Sequence, residues 1–126
     1  MRAADTNIVV RVLVRDDPRQ VRQAEAFVTG GAWISHVVLV EAVWVLSTGY
    51  RLDPGHVADM IEKLLNHQEF VVDDPATIAA ALTHFRNRPA LGFADCLILE
   101  TARKAGHLPL GTFDRELGKV DGARRL

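Results

Sequence analysis

Three apolar runs of this chain each carry one carboxylate. Residues 36–46 hold Glu41, residues 91–99 hold Asp95, and Asp5 lies between Ala3-Ala4 and the apolar residues 8–14. Burying an ionised carboxylate without a partner costs several kcal/mol, so such acids normally meet a cation or hydrogen-bond donors. Arg11 is the only Lys or Arg inside these runs. Acids that face one another and are neutralised by a divalent ion explain the pattern economically. The chemistry expected of such a pocket is metal-dependent. Oxygen-only ligands select hard cations, Mg²⁺ or Mn²⁺, over zinc.

Positioning those acids takes an alternation of short strands and helices. Residues 2–5 read as a first strand. Residues 8–14 are ambiguous, because β-branched side chains favour a strand while Asp5 or Thr6 can cap a helix. Asp17-Pro18 starts a helix with Val21, Ala24 and Val28 on one face, and Gly30-Gly31 ends it. Residues 32–34 are strand-like, and Ser35 caps an apolar helix over residues 37–48. Asp53-Pro54 and Asp74-Pro75 open two further helices, on either side of a strand at residues 70–72. Asn87-Arg88-Pro89 breaks the second of these. Residues 93–105 read as helix with Gly106 as its cap, residues 107–113 as a fourth strand, and residues 123–126 as a short edge strand. The expected class is α/β, a parallel sheet of four to five short strands flanked by helices. Ligands of open α/β sheets sit beyond the carboxyl ends of the strands. Asp5 ends the first expected strand and Asp114 follows the fourth, so both fall at one edge.

The 126 residues suit one domain, residues 1–126. With 15 basic and 16 acidic residues the net charge is −1, so no global positive field marks a nucleic-acid binder. An acidic metal pocket masks a basic rim in such a total. A single cysteine, Cys96, excludes a disulfide framework and a thiolate zinc site. Asp5 interrupts the start before any apolar signal segment forms, and no apolar stretch approaches the ~20 residues of a membrane span. A soluble, cytoplasmic protein is expected.

Four ordered motifs carry a resemblance. They are Asp5-Thr6-Asn7-Ile8-Val9, the segment from Ile34-Ser35-His36 through Glu41 to Leu46, Phe93-Ala94-Asp95-Cys96-Leu97-Ile98, and Thr112-Phe113-Asp114-Arg115-Glu116-Leu117. With Asp16-Asp17-Pro18 and Gly106 they resemble, across the chain, a PIN-domain ribonuclease, specifically the VapC toxin of a bacterial VapBC toxin–antitoxin pair. The resemblance implies that Asp5, Glu41, Asp95 and Asp114 form the catalytic, metal-holding pocket of an endoribonuclease. It further implies a VapB-type antitoxin whose C-terminal segment covers the cleft, commonly through a basic side chain, and a homodimer. One departure is Gly92, where many relatives carry an acid.

Each residue also has a plainer reading. Asp5 and Asp95 can cap helices, and Asp114 can cap a turn. Glu41, mid-helix, has no capping duty, but an ion pair with Arg11 would satisfy it. Asn7 and Thr112 fit either an outer shell that orients carboxylates and water or local backbone contacts. Arg86, Arg88, Arg115 and Lys119 fit a phosphate-holding rim or a solvated basic patch. Asp16, Asp17, Asp53, Asp73 and Asp74 read as turn residues, and the five histidines show no metal-ligand spacing. Trp33, Trp44 and Phe85 read as core. Two rivals remain: a PIN fold kept as a binding module, and a receiver-type signalling domain. The receiver lacks a convincing strand before Asp53, and its Lys would have to be Lys104, inside a helix.

Overall fold

Asp, Ser and Pro at the helix heads set most of the boundaries in the computed structural model, which describes residues 1–126. Asp5 caps α1 (Thr6–Val14), Asp17 caps α2 (Pro18–Val28), and Ser35 caps α3 (His36–Trp44). Asp53 caps α4 (Pro54–Leu65) and Asp74 caps α5 (Pro75–Asn87). Each side-chain oxygen accepts a first-turn backbone N–H that has no partner inside its helix. Pro18, Pro54 and Pro75 occupy the first helical position, where a missing N–H is harmless. α6 (Phe93–Ala105) begins at Gly92 with no side-chain cap and ends at Gly106, whose φ of 83° is the left-handed closure that glycine allows.

The chain divides into two compact units. In the first, Met1–Asp73, β1 (Arg2–Ala3), β2 (Ala32–Ile34) and β3 (Phe70–Val72) form a parallel sheet in that order. Ala32 and Ile34 are fully buried whereas Trp33 between them is exposed, as the two-residue period of a strand requires. α1 packs on α2 and α3. Residues 8–14, ambiguous by propensity, are helical: Asp5 caps them, and Val9, Val10 and Leu13 bury one face at helical spacing. Tertiary burial overrides the strand preference of β-branched residues here.

Apart from His36 and Glu41, α3 is apolar, yet it buries only Leu39 and Ala42 before running on as a π-helical turn, Val45–Gly49. Val37 (75% exposed), Glu41 and Trp44 (64%) share its solvent side, spaced four and three residues apart. Of the three aromatic residues expected in the core, Phe85 is buried, while Trp33 and Trp44 are not. Trp33 stands on the uncovered face of β2, and Trp44 on the outer face of α3.

In the second unit, Asp74–Leu126, α5 and α6 pack together, with the rings of Phe85 and Phe93 edge to face at 6.1 Å. Between them Glu100 is buried, 2.6 Å from His84 Nε2 and 3.2 Å from Arg103 Nε. Arg103 also donates to the Asp121 carbonyl at 2.6 Å, fastening α6 to the turn before β5. β4 (Leu110–Thr112) pairs in parallel with β5 (Ala123–Arg125), Thr112 beside Arg125. The expected α/β class is therefore observed, with five short strands paired in parallel as sheets of three and two. Strands of two or three residues make few ladder bonds, so helix packing carries most of the stability. No helix is long and apolar enough to cross a membrane.

Candidate active site

In the first unit the carboxyl ends of the strands gather polar groups at one edge. Ala4 N donates to Trp33 O and Asp73 N to Ile34 O, both at 2.9 Å, which extends the pairing one residue past each strand. Asp5, Ser35 and Asp73 follow at that edge. At about 4.8 Å between neighbouring strands, the backbones of Asp5 and Asp73 lie roughly 10 Å apart. His36 Nε2–H donates to the Asp73 carbonyl at 2.7 Å and ties the head of α3 to the end of β3.

Asp5 is exposed, and its Oδ1 accepts the Thr6 N–H at 2.7 Å. The Thr6 hydroxyl is buried without a hydrogen-bond partner, an orphaned polar atom beside the first acid. Asn7, in the same turn, is exposed. Glu41 is exposed and makes no ion pair. Arg11, its sequence-level candidate, instead donates to Tyr50 Oη at 2.7 Å and lies 3.4 Å from Asp16 Oδ1. The Tyr50 bond is the main reason the Arg11 pKa is raised.

In the second unit two candidates meet. Asp95 enters from the first turn of α6 and Asp114 from the residues after β4. A first-turn position normally favours a carboxylate. Asp95 nevertheless has its pKa raised, first by burial and then by the charge of Asp114. Asp114 is held in place at both ends: its N–H donates to Thr112 Oγ1 at 3.0 Å, and its Oδ1 accepts the Leu117 N–H at 2.8 Å. Thr112 thus makes the local backbone contact of its two readings, and through it shapes the turn that carries the acid. Cys96, behind Asp95, is buried, and its thiol is pushed up to about 11 by burial and by Asp95. It stays protonated. Of the proposed rim, Lys119 pairs with Glu116 at 3.1 Å, while Arg88 and Arg115 are exposed.

The structure thus brings Asp95 and Asp114 into electrostatic contact and sets Asp5 and Glu41 in solvent on separate elements of the first unit. No three of the His, Cys, Asp and Glu side chains gather closely enough to hold an ion between them. Mg²⁺ typically keeps several waters and takes only one or two carboxylates from the protein, and the Asp95–Asp114 pair supplies that number from oxygen donors alone. Asp73 is the acid that sequence reasoning set aside as a turn residue. Its signal was its place directly after the apolar strand 70–72, matching Asp5 after β1.

Comparison with known proteins adds one result. A family model described as PIN domain matches residues 3–123, nearly the whole chain. No curated protein and no solved structure matches it.

Proposed function

The chain belongs to the PIN domain family, a nuclease fold whose members generally use divalent metal ions, and from that premise we propose that it is a metal-dependent endoribonuclease. The four motifs put Asp5, Glu41, Asp95 and Asp114 forward as ligands of Mg²⁺ or Mn²⁺, directly or through water. The observation that carries this reading is the Asp95–Asp114 pair, in which the charge of Asp114 helps to raise the Asp95 pKa and neither carboxylate has an ion-pair partner. Like charges so placed destabilise one another until a cation joins them.

When bound, the ion lowers the pKa of a coordinated water and offsets charge on the phosphate oxygens in the transition state. The chain's own part is orientation. The Thr112 contact and the Leu117 N–H fix Asp114, and the first turn of α6 fixes Asp95. Glu41, exposed and without an ion-pair partner, would ligate through water. The product of such an attack is a 5′-phosphate end. Arg88 and Arg115 would supply phosphate contacts in this reading.

The four motifs further support a toxin role, paired with a VapB-type antitoxin, in the cytoplasm and as a homodimer. An antitoxin segment with a basic side chain would quench the acids by supplying the cation they lack. The test is cleavage of total RNA with Mn²⁺ or Mg²⁺, beside an EDTA control and Asp95→Asn. Discrete fragments lost in both controls establish the activity. No cleavage, together with no Mn²⁺ binding that depends on Asp95, would reduce the chain to a binding module.

A further inference from the structure

Within the first unit, α1 and α2 enclose an open hollow of about 420 Å³. Asn7 and Arg11 project into it from α1, one turn apart, and Gln20, Gln23 and Phe27 line it from α2, with Ile8 as a second apolar wall. Its volume falls in the range of small-ligand sites. Three carboxamides and a guanidinium surround it, and no carboxylate does.

Several of these groups are held in place. Arg11 Nε donates to Gln20 Oε1, which leaves the Gln20 amide N–H groups free to donate into the hollow. Arg11 is itself fixed by Tyr50 at 2.7 Å, and the Tyr50 hydroxyl donates to Asp16 Oδ2 at 2.9 Å. The Arg2 guanidinium lies 4.1 Å from the centroid of the Phe27 ring and donates to the Phe27 carbonyl at 2.7 Å, which pins that wall.

The chemistry of the lining selects the ligand. A phosphate wants donors only, and a cation acceptors only. Carboxamides offer both, which is what the edge of a nucleobase demands, and flat apolar walls suit its ring. Asn7 is two residues beyond Asp5, about 3 Å farther along the helix axis, so the hollow opens within one turn of the first candidate metal ligand. Resting on the ribonuclease reading, we propose that the α1–α2 hollow receives a nucleobase of single-stranded RNA and sets base preference through Asn7, Gln20 and Gln23. The base is then read on α1 and α2, apart from the acids that cleave.

The experiment needs no turnover. The ¹⁵N-labelled chain in EDTA is titrated with four tetranucleotides, rA₄, rC₄, rG₄ and rU₄, following the side-chain amide signals of Asn7, Gln20 and Gln23. One tetranucleotide should move all three and bind about tenfold tighter than the weakest, the discrimination that a good two-point base contact brings. Gln20→Ala with Gln23→Ala should bring the four affinities within about twofold, at an unchanged melting temperature since both side chains are exposed. Cleavage of RNA without base-dependent shifts overturns the pocket and leaves the nuclease. Base-dependent shifts in a chain that cleaves no RNA uphold the pocket and remove the nuclease. Displacement of those signals only by a peptide overturns the pocket in favour of a protein partner.

Discussion

Asp95, in the first turn of α6, lies close enough to Asp114 after β4 for one charge to raise the pKa of the other. Neither acid has an ion-pair partner, so in a metal-free protein the contact opposes folding rather than supporting it. That sign separates an acid kept for a ligand from an acid kept for stability.

Asp95→Asn should therefore stabilise and inactivate together. In EDTA at neutral pH its melting temperature is expected to rise, because the variant removes a half-buried charge that Asp114 opposes. Metal-dependent RNA cleavage should fall by about 100-fold or more, since even groups behind metal ligands cost up to that much. Calorimetry and a cleavage assay on one preparation decide it. A lower melting temperature would mean that Asp95 stabilises the fold through a partner.

Glu100 should behave in the opposite way. It is buried between His84 and Arg103, so Glu100→Ala strands two groups that it satisfies. The stranded His84 and Arg103 are about a third exposed, so the expected cost is about 1–3 kcal/mol. Urea unfolding should show that loss. A cost below about 0.5 kcal/mol would class Glu100 as a surface charge.

Asp74 makes the acid limb of the stability curve. The Lys104 ammonium, 2.6 Å away, and then Thr77 hold its carboxyl down at about 2. The unfolded value is about 3.9, so the contribution is complete above that pH and disappears as pH falls toward 2. Asp74→Asn keeps a capping oxygen and loses the charge. The variant should be less stable than the parent at pH 7 and match it near pH 2. Melting temperatures across that range check the convergence; a constant gap would assign the whole effect to the cap.

Trp33 and Trp44 should both be open to acrylamide in the folded protein, being 40% and 64% exposed. Trp44→Phe should remove the more quenchable share of the fluorescence. Quenching that appears only on unfolding would put both rings back in the core.

Helix boundaries were legible where a capping residue stands at the head. Asp17-Pro18, Asp53-Pro54 and Asp74-Pro75 each mark a start, and the span 93–105 coincides with α6. Residues 8–14 were not legible, because strand propensity and the Asp5 cap point in opposite directions and only packing decides. Trp44 was misread for a related reason. α3 has no continuous polar face to show which side meets water, and its lone Glu41 marks the exposed side. Of the candidate site, the four acids stood out through their apolar surroundings and their motifs. The contact of Asp95 with Asp114 did not, since it joins residues from different elements that no periodicity relates. Asp73 carried a sequence signal in its place after the apolar strand 70–72, and the strand register sets it at the same edge as Asp5.

Gly92 leads into the helix that carries Asp95, with φ 73° and ψ 145°, and a Cβ built there would meet nothing within 4 Å. Space is free, but an L residue in that backbone region is strained by about 1–3 kcal/mol. An acid at this position, aspartate or glutamate, is one nucleotide change from every glycine codon. A gene drifting under selection for a stable fold is turned back from that change by backbone torsion, with no crowding involved. An acid at position 92 would sit there strained unless the Pro89–Leu91 turn that sets this torsion were remodelled as well.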